Sequence, residues 1–181
     1  HLMVHQKWLL MIFIKKYNKT IFSQAIENIV NFYNDLEITL IGSFVSIEAL
    51  KSHPKAIKTF ILDKKYTSLY KISRDLGNFD AFFSFRSSIR SKFLKFLISA
   101  KKKYQFDKNK YQNRHQVEKY NDFINDSLLI DSVAGKLQIY GHNIVKSKKK
   151  ILGINPGASY GSAKRWYPQE FAKVARELSG E

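Results

Sequence analysis

The sequence predicts an α/β fold: a Rossmann-like parallel sheet domain followed by the first βα unit of a second Rossmann-like domain. Three observations carry this. Short apolar runs alternate with helical patterns along the chain, the mark of a parallel sheet covered by helices. Asp80-Ala81-Phe82-Phe83-Ser84-Phe85 is almost continuously apolar, as strands buried on both faces are. Small or polar residues close the runs, at Gly42-Ser43 and at Arg86-Ser87-Ser88, where such sheets open their ligand crevice.

Trp8-Leu9-Leu10-Met11-Ile12-Phe13-Ile14 reads as a buried strand, because seven apolar residues fall far short of the ~20 that span a bilayer. From Ser23, a candidate N-cap, Ala25, Ile26, Ile29, Val30 and Tyr33 share one helical face. Glu37 to Gly42 is the second strand, with Gly42 and Ser43 read as a turn rather than a site. A short helix through Ile47 and Leu50 is closed by Pro54, and Ile57 to Leu62 is the next strand. Tyr66 to Leu76 is a helix, with Leu69, Ile72 and Leu76 buried and Gly77 just past its end.

After Arg86-Ser87-Ser88 a helix runs through Ile89, Phe93, Phe96 and Leu97. Arg86 stands where it could pair with a carboxylate or phosphate, and a surface salt bridge is the other reading of it. Lys101 to Phe106 leads into a short strand, and Asp107 to Arg114 is a polar, basic loop whose default reading is a solvated face. His115 opens a helix carrying Val117, Tyr120 and Phe123, where it could donate to an anionic sugar or be merely structural. Ala134 to Ile139 reads as the last strand of this half. The basic joint around Lys146-Ser147-Lys148-Lys149-Lys150 marks the boundary between a first domain, 1–145 with an atypical 1–24, and the beginning of a second, 146–181.

The chain has 181 residues, with 31 Lys and Arg against 15 Asp and Glu, a formal charge of +16. That balance raises nucleic acid or an anionic membrane surface as partner. Tyrosines interleave with lysines between Lys108 and Lys119, yet no DNA- or RNA-binding motif accompanies them, so a basic nucleic-acid-binding domain is only the alternative. Without cysteine, disulfides and thiolate metal sites are excluded. One βα unit cannot bury its own sheet faces. With His1 in place of a methionine, the expectation is therefore a piece of a longer protein.

The stretch richest in chemistry is Asn155-Pro156-Gly157-Ala158-Ser159-Tyr160-Gly161-Ser162-Ala163-Lys164-Arg165-Trp166. It follows the apolar Ile151-Leu152-Gly153-Ile154 and precedes a helical pattern opening at Pro168, so it reads as strand, glycine-rich loop and helix. Gly157 and Gly161 let the backbone approach a ligand. Ser159 and Ser162 offer hydroxyls, the helix offers its positive end, and Lys164 and Arg165 offer charge, a donor set suited to a diphosphate. Lys164 does not directly follow Gly161, so the Walker pattern is not met. A solvated strand-to-helix turn is the competing reading.

Gly157-Ala158-Ser159-Tyr160-Gly161-Ser162-Ala163-Lys164-Arg165-Trp166, followed by Phe171-Ala172-Lys173-Val174-Ala175, closely resembles the donor-binding segment of the lipopolysaccharide heptosyltransferases, glycosyltransferase family 9. The Ser-Ala-Lys-Arg-Trp version looks most like the heptosyltransferase II branch. Weaker likenesses run through Ala25 to Ile29, Leu40 to Ser43, Phe85 to Ser88 and His115 to Tyr120.

The resemblance implies a GT-B architecture, here truncated. It implies inverting, metal-independent transfer of heptose from ADP-L-glycero-D-manno-heptose to the lipopolysaccharide inner core, on Kdo-lipid A or its heptosylated form, with no cofactor. It places donor binding at Gly157, Ser159, Tyr160, Gly161, Ser162, Lys164 and Arg165, and acceptor binding at Arg86, Ser87 and His115. It also implies a cytoplasmic protein in peripheral contact with the anionic inner face of the inner membrane. The family carries its catalytic aspartate in a Leu-Gly-Asp element after the first strand. Residues 15–24 contain no Gly, Asp or Glu, so no catalytic residue is assigned, and an inactive remnant is the alternative to an enzyme fragment.

Overall fold

The computed structural model describes residues 8–14, 21–33, 35–63, 65–137, 140, 152–155 and 166–179. The chain divides into two units, His1–His142 and Asn143–Glu181.

The first unit is a five-stranded, wholly parallel sheet. Its strands are β1 (Trp8–Ile14), β2 (Leu36–Gly42), β3 (Ala56–Ile61), β4 (Asn78–Ser84) and β5 (Ser99–Gln105), in the order β3-β2-β1-β4-β5. The order reverses between β1 and β4, the position where open α/β sheets place their binding crevice. Helices α1 (Ile21–Phe32), α2 (Phe44–Leu50), α3 (Tyr66–Asp75), α4 (Ile89–Leu97) and α5 (Gln116–Leu128) connect and follow the strands.

Alternation along the strands builds two cores. Leu10, Ile12 and Ile14 of β1 and Ala81 and Phe83 of β4 meet α1, α2 and α5 on one face, while Phe13, Ile41 and Phe82 meet α3 and α4 on the other. The first face has the larger core. There α1 and α5 lie side by side, joined by a buried hydrogen bond from Asn28 Nδ2 to Asn121 Oδ1.

Most elements lie where the sequence predicts them, including Gly77 past α3 with φ +67°, the left-handed turn that glycine takes without strain. Three expectations are corrected. Helix α1 starts at Ile21, so Ser23 lies buried inside its first turn rather than at the cap. Residues 134–137 form no strand, and 138–139 lie outside the described residues. With its amide oriented to satisfy both atoms, Gln24 of α1 donates to the Lys136 carbonyl at 2.7 Å and accepts from the Gly135 N–H at 3.2 Å. Backbone groups satisfied by a side chain leave no ladder to build. In the second unit, 152–155 form no strand either, and Leu152 and Ile154 are exposed, because no neighbouring strand is present among the described residues. Helix α6 (Pro168–Ser179) does open at Pro168, the first-turn position proline tolerates.

The segment preceding the unit boundary is held at Tyr140. Its hydroxyl donates to Glu27 Oε1 of α1, which also meets His53 Nε2 at 3.1 Å. His53 is buried, and its Nδ1 accepts from the Lys55 N–H at 3.0 Å. That bond fixes the tautomer, so Nε2 carries the hydrogen and donates to the carboxylate.

Candidate functional site

The C-terminal ends of β4 and β5 carry the site of the first unit. Each ladder extends one residue past its strand, through Phe85 N to Phe13 O at 3.1 Å and Phe106 N to Ser84 O at 2.9 Å. The chain then turns at Arg86-Ser87-Ser88. This turn is fixed at one atom: the Arg86 carbonyl accepts from Ser84 Oγ at 3.3 Å, from Ser91 Oγ at 3.1 Å and from Gln105 Nε2. Ser88 caps α4 by accepting from the Ser91 N–H at 3.3 Å, which satisfies one of the free donors of the first turn.

From this anchored backbone the Arg86 side chain runs toward a cavity of about 350 Å³ lined by Arg86, Ser87, Lys108, Gln116 and Tyr120 above Phe85 and Phe106. Its guanidinium lies over the Phe13 ring, 5.5 Å from the centroid. Burial, with Arg90 adding repulsion and Tyr120 opposing, lowers the Arg86 pKa below the usual guanidinium value; the group remains a cation at neutral pH.

The other wall is aromatic. Tyr120 stacks on Phe22 at 4.7 Å and meets Phe106 and Phe85 edge-on at 5.0 and 5.4 Å. Burial pushes its phenol up to about 12, with the Gln116 side chain and Arg86 pulling the other way. Tyr120 is therefore a neutral hydroxyl near Arg86, a donor rather than an anion. Arg86 and Lys108 supply positive charge, the first turn of α5 enters at Gln116, and no acidic side chain lines the cavity among the described residues. Such a cavity suits an anionic, hydroxyl-bearing ligand.

A second cavity, about 300 Å³, lies against β5 and includes Lys95, Lys103, Lys110, Asp107 and Asp126. Part of its charge is satisfied internally. Asp126 pairs with Lys110 at 2.6 Å and accepts from the Tyr111 hydroxyl at 2.8 Å. Among the described residues no group of three or more His, Cys, Asp or Glu stands together as metal ligands, and no helix is long and apolar enough to cross a membrane.

The structure thus brings Arg86 and Ser87 together at one cavity. His115 is exposed and caps α5, its Nδ1 accepting from the Val117 N–H at 3.4 Å while its backbone N–H donates to Glu118 Oε2 at 3.1 Å; it adjoins Gln116 but does not line the cavity. The donor-loop residues Gly157, Ser159, Tyr160, Gly161, Ser162, Lys164 and Arg165 lie outside the described residues. So do residues 15–20, most of the 15–24 interval that carries no Gly, Asp or Glu. Lys108, Gln116 and Tyr120 were not singled out by the sequence: Lys108 reads as solvated and Tyr120 as helix core until the topology brings them beside Arg86.

No family model matches the chain. Two curated relatives do, both named Lipooligosaccharide heptosyltransferase 2. The protein of Campylobacter jejuni subsp. jejuni serotype O:2 is 41% identical over 165 residues, covering 87% of this chain and 51% of that protein. That of serotype O:6 is 39% identical over 165 residues, covering 87% and 52%. The chain spans about half the length of these relatives.

Among solved structures, a glycosyl transferase family 9 protein from Veillonella parvula superposes with a TM-score of 0.76 at 15% identity, covering 94% of this chain and 60% of that one. The E. coli heptosyltransferase WaaC with ADP-2-deoxy-2-fluoro heptose superposes with a TM-score of 0.60 at 11% identity, covering 71% and 50%. At such identities the superpositions speak for the fold.

Proposed function

We propose a function that starts from family: the chain belongs to the heptosyltransferases of glycosyltransferase family 9, and, joined to the rest of a second Rossmann-like domain, it transfers heptose from ADP-heptose to the inner core of lipopolysaccharide. Its fold is the parallel Rossmann-like domain of that family's GT-B architecture with part of the second domain. The first unit is then the acceptor side, working at the cytoplasmic face of the inner membrane.

The observation that carries the acceptor assignment is the cavity at the end of β4. An inner-core acceptor bears carboxylates and phosphates on a lipid anchor, and the cavity offers Arg86 and Lys108 with no acidic residue lining it among the described residues. Arg86 would take a carboxylate or phosphate, its turn held rigid through its own carbonyl. Gln116 and the neutral Tyr120 would orient hydroxyls, and Phe85 and Phe106 would keep water away from one wall. On the donor side, Lys164 would balance the charge of the departing diphosphate, with Ser159 and the backbone N–H groups of Gly157 and Gly161 donating and Arg165 assisting. Inverting transfer also needs a carboxylate to take the acceptor proton.

The absence of Asp and Glu from residues 15–24 favours one competing reading, a chain that keeps the fold without the chemistry. A transfer assay with varied acceptor and donor separates the two. In an enzyme completed with the second domain, Arg86→Gln should raise the acceptor KM and leave ADP affinity unchanged. A completed protein that is folded and binds ADP-heptose yet forms no heptosylated product is the remnant.

A further inference from the structure

Helix α4 has two apolar faces. Ser91, Leu94 and Ile98 are buried against the sheet, which accounts for one. The second, Ile89, Phe93 and Phe96, recurs at i, i+4 and i+7 and so forms a stripe along the helix, yet it points away from the core: Ile89 and Phe96 are each 80% exposed. Helix α3 continues the feature, because Tyr66 meets Phe93 edge-on at 5.7 Å and Tyr70, one turn on, is about half exposed. A contiguous run of large apolar side chains in water signals something that covers it.

Charge says what. Within α3 and α4 the charged residues are Lys71, Arg74, Arg90, Lys92 and Lys95 against Asp75 alone. Arg90 is turned inward, its guanidinium bonded to the Asp63 carbonyl and 5.8 Å from the Tyr66 ring centroid; Asp63 adds one exposed carboxylate, bonded to Ser68, and Lys95 lines the second cavity, which leaves Lys71 and Lys92 as the exposed lysines of the two helices. Apolar and tyrosine side chains among flexible lysines match a bilayer interface, where rings sit at headgroup depth and ammonium groups reach the phosphates.

We infer that the α3–α4 face of the first unit is a docking surface for an anionic phospholipid bilayer, inserting Ile89, Phe93 and Phe96 between headgroups. Helices α3 and α4 cover the sheet face opposite α5, and the N-terminal end of the ridge is the part that approaches the cavity. In a parallel α/β unit the helix N-termini lie at the same edge as the C-terminal strand ends, and Ile89 follows Arg86 by three residues in sequence. A lipid-anchored acceptor would therefore present its polar head to Arg86 while its anchor stays in the bilayer beneath the ridge. This deepens the peripheral membrane contact proposed above, but its test needs no transfer of sugar.

The 181-residue chain is to be sedimented with phosphatidylcholine vesicles and with vesicles containing phosphatidylglycerol, beside the double variant Ile89→Ser/Phe96→Ser. Both positions are exposed, and far-UV circular dichroism reports that the variant is folded. The parent should bind the anionic vesicles, and the double variant should lose about tenfold or more of that partitioning. Tryptophan at Phe96→Trp should shift its emission to the blue on the same vesicles, beyond any shift from Trp8 and Trp166. Equal binding of parent and double variant, no binding by the parent, or an unshifted Phe96→Trp spectrum would each overturn the proposal. So would a stripe-dependent dimer that persists in the presence of vesicles.

Discussion

Gln105 of β5 donates from its side-chain nitrogen to the backbone carbonyl of Arg86, so the edge strand of the sheet holds the turn that aims the site's principal cation. The same nitrogen lies 3.1 Å from Ser84 Oγ and 3.2 Å from Ser91 Oγ, which gathers β4, β5 and α4 at one point. Gln105→Ala should cost about 1 kcal/mol of stability, one net hydrogen bond, measured by urea unfolding. In a completed enzyme it should also raise the acceptor KM while leaving ADP affinity alone, because it loosens Arg86 without touching the donor loop.

Direct removal of the charge should be more severe. Arg86→Gln keeps a polar side chain but loses charge-assisted bonds worth about 1.5–3 kcal/mol, which corresponds to a rise in acceptor KM on the order of ten- to a hundredfold. Steady-state kinetics against acceptor concentration checks it. An unchanged KM would remove Arg86 from the acceptor site.

Gly42 has a different reason for being glycine than the turn its sequence context suggests. A Cβ at this position would stand 2.9 Å from the Ile14 carbonyl oxygen, and that oxygen belongs to the backbone of the central strand, which cannot swing aside. Gly42→Ala should destabilise the first unit by about 1–3 kcal/mol, the scale of an overpacked interior, read from the shift in denaturation midpoint.

Much of the first unit was legible in the sequence because its signals are local. The apolar run of β1, the phenylalanine-rich β4 and the glycine after α3 each report their own structure. Three features were not fully legible. Strand formation needs a partner, which is why Ala134 to Ile139 and Ile151 to Ile154 look strand-like by composition while the described parts of both form none. The cavity was half legible for a similar reason: Arg86 and Ser87 stand at a strand end, but Lys108, Gln116 and Tyr120 join them only once β5 and α5 are placed. The stripe on α4 was visible as apolar residues, yet periodicity cannot say which of two apolar faces the sheet will take.

Asn121 makes the α1–α5 interface specific. It accepts from Asn28 and donates to the Ser132 carbonyl, and both asparagines are buried. Asn121→Ala leaves the buried Asn28 amide without its acceptor, while the Ser132 carbonyl still accepts from Asn125 Nδ2 at 2.9 Å, so the loss should be about 1–3 kcal/mol, the scale of one desolvated group left unpaired. Chemical denaturation of the two proteins side by side measures it.

Stability should also fall in alkali, with a sign set by Tyr120. Its folded pKa is raised to about 12 by burial, above the unfolded phenol at about 10. The unfolded chain therefore releases the proton first. The contribution is complete below about pH 10 and disappears as pH rises through about 12. Tyr120→Phe should flatten the decline of unfolding free energy across that window by one proton's worth, while the other buried tyrosines keep the remainder. An identical slope in the two proteins would place the Tyr120 hydroxyl in water.

If the first unit is the acceptor side of a heptosyltransferase, it should work in place of the same part of a relative. The most direct measurement replaces the matching half of the Campylobacter jejuni relative with this chain and assays release of ADP from ADP-heptose in the presence of an inner-core lipopolysaccharide acceptor. Acceptor-dependent release of ADP with a heptosylated product is expected, lowered by Arg86→Gln through the acceptor KM and by Lys164→Ala through donor affinity. A folded chimera that binds ADP-heptose yet forms no heptosylated product would contradict it.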